Sequence, residues 1–96
     1  MPAYIVVEVE VNDPERYENY KAMVPPSLEA YGGRFVVRGG ACQTVEGEWK
    51  PTRLVVIEFP SLADAKRWYD SEEYRAPKAQ RIRAGRTSMI MVEGVA

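Results

Sequence analysis

Any chemistry in this 96-residue chain has to be done without histidine. No imidazole is present to act as a general base, a zinc ligand or a proximal haem ligand. Serine–histidine and cysteine–histidine nucleophile systems are excluded on the same ground. Cys42 is the one cysteine, so no intramolecular disulfide can form. With neither a histidine nor a second thiol near it in sequence, Cys42 reads as structural. Carboxylates, arginines and tyrosines remain, and several stand where charge is unusual, inside apolar runs. Glu8 and Glu10 fall in AYIVVEVEV, Arg34 and Arg38 in GRFVVRGG, and Glu58 in RLVVIEF.

Each pattern suggests a definite chemistry. Arg38 beside Glu58 would keep both groups charged and could hold a polar ligand group bidentately. The same pair could instead be a partly buried ion pair that fixes the sheet or a subunit register. Glu8 is the natural third member, because a second carboxylate near Glu58 would raise one pKa and supply an acid or base. Tyr74, just after a helix cap at Ser71, is a candidate to border a pocket. Trp49 lies in a polar loop, where a large aromatic calls for a dimer contact or a ligand to cover it. With Arg38 at its centre, such a pocket suits a small neutral or anionic organic molecule. The arginine would oppose a cation beside Glu8 and Glu58, so no metal or other cofactor is expected.

These residues need elements to position them. Strand side chains alternate faces, which sorts each run into two sets. Ile5, Val7, Val9 and Val11 form an apolar floor with Phe35 and Val37 and with Val55, Ile57 and Phe59. The opposite face mixes Tyr4, Val6, Glu8 and Glu10 with Arg34, Val36 and Arg38 and with Leu54, Val56 and Glu58. Strands are expected over 3–11, 34–38, 53–59 and 87–92, and 41–46 can continue extended. Asn12 and Asp13 before Pro14 start a helix on which Tyr17, Tyr20, Val24, Leu28 and Tyr31 share a face. Pro25-Pro26 predicts a kink or short break in it, and Gly39-Gly40 predicts a bulge or bend directly after Arg38. Ser61 caps a helix carrying Leu62, Ala65, Trp68 and Tyr69 on one side, and Ser71 caps a basic helical stretch from about Glu72 to Ala84. On that stretch Arg81 or Arg83 could reach an anionic ligand at a cavity mouth. The order is that of an α+β, ferredoxin-like βαββαβ domain, with an antiparallel sheet and helices on one face. A single domain over 1–96 is expected.

YGGRFVVRGG at 31–40, RLVVIEFPSLADAKRWYDSEEY at 53–74 and MIMVEG at 89–94 resemble a family of short bacterial proteins of unknown function in the dimeric α+β barrel superfamily. The resemblance covers nearly the whole chain. It implies a ferredoxin-like protomer whose open sheet face packs on that of a partner and encloses a cavity. The superfamily includes cofactor-free and haem-binding monooxygenases and isomerase-like enzymes; the missing histidine departs from the haem-binding relatives.

Composition limits the partners. A net charge of −1 gives no field to attract nucleic acid or an anionic membrane. A single RGG inside a strand has almost no weight, and the faint RNA-recognition echo in GGRFVV belongs on the third strand, where RLVVIEF lacks the stacking aromatics. No apolar run approaches the roughly 20 residues that span a bilayer, and no basic segment precedes an apolar stretch at the N-terminus, so a cytoplasmic protein is expected. Two function classes follow: a homodimeric small-molecule enzyme or binder, with monooxygenase-like or isomerase-like activity, or a non-catalytic dimeric module whose charges set the interface.

Overall fold

The computed structural model describes residues 1–95. Strand β1 (Ala3–Val11) leads into helix α1 (Pro14–Glu29), followed by β2 (Arg34–Arg38), β3 (Leu54–Phe59), α2 (Leu62–Tyr69), α3 (Glu72–Ala84) and β4 (Gly85–Glu93). The sheet order is β2-β3-β1-β4, with every pairing antiparallel. This is the ferredoxin-like arrangement, its second helical segment divided into α2 and α3.

Local chemistry sets the helix boundaries. Asp13 Oδ1 accepts the Arg16 backbone N–H at 3.1 Å ahead of Pro14, satisfying one of the donors a helix start leaves over. Ser61 and Ser71 do the same for Asp64 and Tyr74, each at 3.1 Å. The helices cover the apolar floor. Ile5, Val7, Val9, Val55, Ile57 and Phe59 pack against Tyr17, Tyr20, Val24, Leu28, Ala65, Trp68, Tyr74 and Ala84. At the α3–β4 junction a Cβ on Gly85 would collide with the Glu10 carbonyl oxygen. Glycine there lets the β1–β4 ladder run its full length, from Ala3↔Glu93 to Val11↔Gly85. Among the described residues, no helix is long and apolar enough to cross a membrane.

Strand β2 departs from the simple alternation. Arg34 lies opposite Glu58 and Phe35 opposite Ile57, but Val37 then faces Val56 and Arg38 faces Val55. Val36 is an extra residue, a bulge that reverses the phase of everything after it. The bulge therefore comes before Arg38, not after it at Gly39-Gly40; Gly39 instead turns the chain, with φ of +72°. Val37 moves to the open face and Arg38 to the helix side. The expected Arg38–Glu58 pair does not form, and Arg34 makes the ion pair with Glu58.

Helix α1 does not break at Pro25-Pro26. Pro25 lacks the N–H that would bond the Lys21 carbonyl. The Arg38 guanidinium donates to that carbonyl at 2.7 Å instead, and Val24, Ser27 and Leu28 are buried on both sides of the prolines. Residues 41–46 do not extend a strand; they belong to the long connection between β2 and β3. Cys42 is exposed there, so it supports no core, contrary to the structural reading.

Candidate functional site

Ladder register assembles the open face row by row. Val37, Val56, Val6 and Ile90 stand opposite one another across all four strands. The row is apolar from edge to edge, and Ile90 is 61% exposed. On one side of it lies the row Arg34, Glu58, Tyr4 and Val92. Arg34 pairs with Glu58, and the Tyr4 hydroxyl donates to Glu58 Oε2 at 3.5 Å, the long limit of a hydrogen bond. On the other side lies the row Leu54, Glu8 and Ser88, and beyond it Glu10 faces Arg86.

The Glu8 corner has a roof. The β2–β3 connection is pinned where it returns to the sheet, by Thr52 Oγ1 donating to the Val9 carbonyl at 2.9 Å. Val9 N–H bonds the Arg53 carbonyl, also at 2.9 Å. Thr44 Oγ1 donates to the Trp49 carbonyl at 2.6 Å, holding the turn that carries the indole. Trp49 Nε1–H then donates to Glu8 Oε1 at 3.2 Å. Beneath lies a hollow of about 120 Å³ lined by Val6, Glu8, Trp49, Leu54, Ser88 and Ile90. A second hollow of about 220 Å³, lined by Glu8, Glu10, Arg86, Thr87 and Ser88, adjoins it through shared residues.

Of the five candidates, the structure thus keeps Glu8, Glu58 and Trp49 on the open face and brings only Glu8 and Trp49 together. Glu8 faces Leu54 and Glu58 faces Tyr4. The two carboxylates are therefore four residues apart along the ladder, about 13 Å at a strand's rise. Glu8 and Glu58 form no carboxylate dyad.

Arg38 and Tyr74 lie on the helix side. Arg38 stacks over the Phe35 ring, 4.2 Å from its centroid. Tyr74 is fully buried, because α3 begins at Glu72 and its first turn faces Trp68, whose ring centroid lies 3.9 Å away. It borders no open pocket. Its hydroxyl accepts from Arg81 Nε at 3.1 Å and shares a 2.9 Å hydrogen bond with Tyr20. Arg81 is itself 5% exposed, which keeps it from any cavity mouth. Burial holds both phenols above their ordinary range; the Tyr74 hydroxyl raises Tyr20 further, while Arg81 pulls both back. The cleft between α1 and the sheet, edged by Arg38, Arg53, Tyr17 and Tyr20, offers only about 20 Å³, room for a single water.

Sequence reasoning missed Arg34 as the partner of Glu58 and missed the β4 contribution altogether. The signal for the second was present: Arg86, Ser88, Ile90 and Val92 alternate with Thr87, Met89 and Met91 and set the open-face residues of an edge strand. Among the described residues no group of three or more acidic, cysteine or histidine side chains could hold a metal ion.

Comparison with known proteins gives the same fold. A Rhodopseudomonas palustris protein of unknown function superposes with a TM-score of 0.78 at 19% identity, over 99% of this chain and 83% of that one. A dimeric ferredoxin-like protein of unknown function from Jannaschia sp. gives 0.71 at 12% identity, over 98% and 100%. A Caulobacter crescentus protein provisionally assigned as an antibiotic biosynthesis monooxygenase gives 0.62 at 13% identity, over 99% and 91%. Curated proteins yield no match. The family model of a domain of unknown function, DUF1330, matches residues 2–95, and the chain belongs to that family.

Proposed function

We propose that this protein is a homodimer joined across its open sheet faces, enclosing a small-molecule site at the Glu8–Trp49 corner. The observation that carries the reading is the apolar row Val37–Val56–Val6–Ile90, which runs uncovered into the hollow beneath Trp49. An apolar band of this kind on a small domain marks an interaction surface, and a symmetric partner would cover it with the same band. The Jannaschia relative, described as dimeric, supports this. Arg34 and Glu58, paired within one protomer, border the interface. Glu8 and Trp49 serve the ligand, and oxygenase-like or isomerase-like turnover is the activity to assay on it, the former suggested by the Caulobacter relative.

Light scattering tests the assembly. A dimer mass at micromolar concentration is expected, with an interface of over about 1,000 Å² in total. Ile90→Asp should return a folded monomer. A wild-type monomer at that concentration would overturn the reading.

A further inference from the structure

We propose that the hollow beneath Trp49 takes an organic amine: an apolar, ring-sized body carrying a protonated amino group. The inference rests on the reading of this corner as a ligand site and names what fills it. Three acidic side chains belong to the open face. Glu58 is paired with Arg34, and Glu10 stands directly across the ladder from Arg86. Glu8 alone has no base opposite, because its cross-strand neighbours are Leu54 and Ser88. Among the described residues, Glu8 Oε2 has no hydrogen-bond partner, and Oε1 is met only by the Trp49 indole N–H.

Arg86, on the same face, stands across the ladder from Glu10 and lines the adjoining hollow with Glu8, not this one; three further cations, Arg38, Arg53 and Lys50, are directed elsewhere. Arg38 is bonded to α1 on the far side of the sheet, and Arg53 Nε donates to the Tyr17 hydroxyl at 2.9 Å, also on the helix side. Lys50 follows Trp49 on an exposed stretch of the connection and does not line the hollow. What lines it is one carboxylate, one indole, the Ser88 hydroxyl and three aliphatic side chains. A carboxylate with no base opposite attracts an ammonium and repels an anion, while Val6, Leu54, Ile90 and the Trp49 indole accept a hydrocarbon body. The hollow is of the order of the roughly 150 Å³ apolar cavity that accepts benzene. With Arg38 on the other face, the ligand class changes from the neutral or anionic molecule expected from sequence to a cationic one.

Three probes of one shape test it: phenethylamine, phenethyl alcohol and phenylacetate, titrated calorimetrically into the full chain at neutral pH. The amine should bind at least tenfold more tightly than the alcohol, with the carboxylate weakest. Glu8→Gln should bring the amine down to the alcohol's affinity while light scattering still reports a dimer, and Trp49→Leu should weaken both. Equal or tighter binding of phenylacetate, an amine no tighter than the alcohol, no binding of the amine, or an unchanged amine affinity in Glu8→Gln would each overturn the inference. A dimer that takes alcohol and amine alike keeps the ligand site and loses only the amine. A monomer that binds none of the three loses the site with it.

Discussion

On the helix side of the sheet, the polar groups around Tyr74 and Trp68 are completed by other groups of the same chain. Arg81 donates to Tyr74, Tyr74 shares a hydrogen bond with Tyr20, and Trp68 Nε1 donates to Ser27 Oγ at 3.0 Å. On the open side, two short polar motifs, Arg34–Glu58 and Trp49–Glu8, stand on either side of a bare apolar row. The first face is closed by its own sequence; the second is left bare, to be covered by a partner in the proposed dimer. The difference separates stability from function within one four-stranded sheet: substitutions on the helix side should cost folding energy, and those on the open side should cost assembly and binding.

The largest test of that contrast is Trp68→Ala. Trp68 is fully buried against Phe59 and Tyr74, and truncation should destabilise the protomer by about 3–5 kcal/mol in urea melts. A loss no greater than that of an open-face substitution would break the comparison. Next is Tyr74→Phe, expected to cost about 1–3 kcal/mol because it strands the Arg81 Nε donor and the Tyr20 hydroxyl in the interior. The same pair predicts an alkaline limit. Burial raises Tyr20 and Tyr74 above the ordinary tyrosine value of about 10, so their contribution is complete below about pH 10 and is lost as pH rises beyond it toward their folded-state values. Tyrosinate absorbance should then rise together with unfolding; ionisation of all six tyrosines in a protein still folded would contradict it.

Smaller effects sharpen the division within β2. Arg38→Ala should cost about 1 kcal/mol by unsatisfying the Lys21 carbonyl. Arg34→Ala, removing a side chain that is 70% exposed, should cost a dilute protomer less than Arg38→Ala does. The reverse order in thermal melts of the dilute chain would show that the bulge at Val36 is misassigned. The smallest change in protomer stability is expected for Ile90→Asp, within about 0.5 kcal/mol, although that substitution should abolish the dimer.

Much of this division could be read from residue types. The alternation in β1 and β3, the caps at Asp13, Ser61 and Ser71, and the buried face of α1 all follow from local rules. The faces of β2 do not. RFVVR contains no glycine or proline to mark a bulge, and one unpaired valine is enough to exchange Val37 with Arg38. Tyr74 was misplaced because a cap residue suggests the surface, whereas the first turn of α3 happens to face Trp68. The seat of Trp49 depends on how a long connection folds back onto β1, through hydrogen bonds from Thr44 and Thr52 that no periodicity announces.

The bond from Arg38 to the Lys21 carbonyl joins residues 17 apart, and this has a consequence for the order of events in folding. Helix turns ordinarily close on partners four residues away and can form before anything else. The first turns of α1, capped by Asp13, can do so. The turn that spans Pro25 and Pro26 lacks its own donors, and one of the missing hydrogen bonds is supplied only when β2 arrives. The C-terminal part of α1 should therefore consolidate with the β2–β3 pairing, on the native side of the rate-limiting step. Leu28→Ala should mainly accelerate unfolding, and Asp13→Ala, which removes the cap of the first turn, should shift the folding rate by the larger share of its effect; equal partition at the two positions would show that α1 forms as one unit. Spatially continuous, this helix is assembled in two stages.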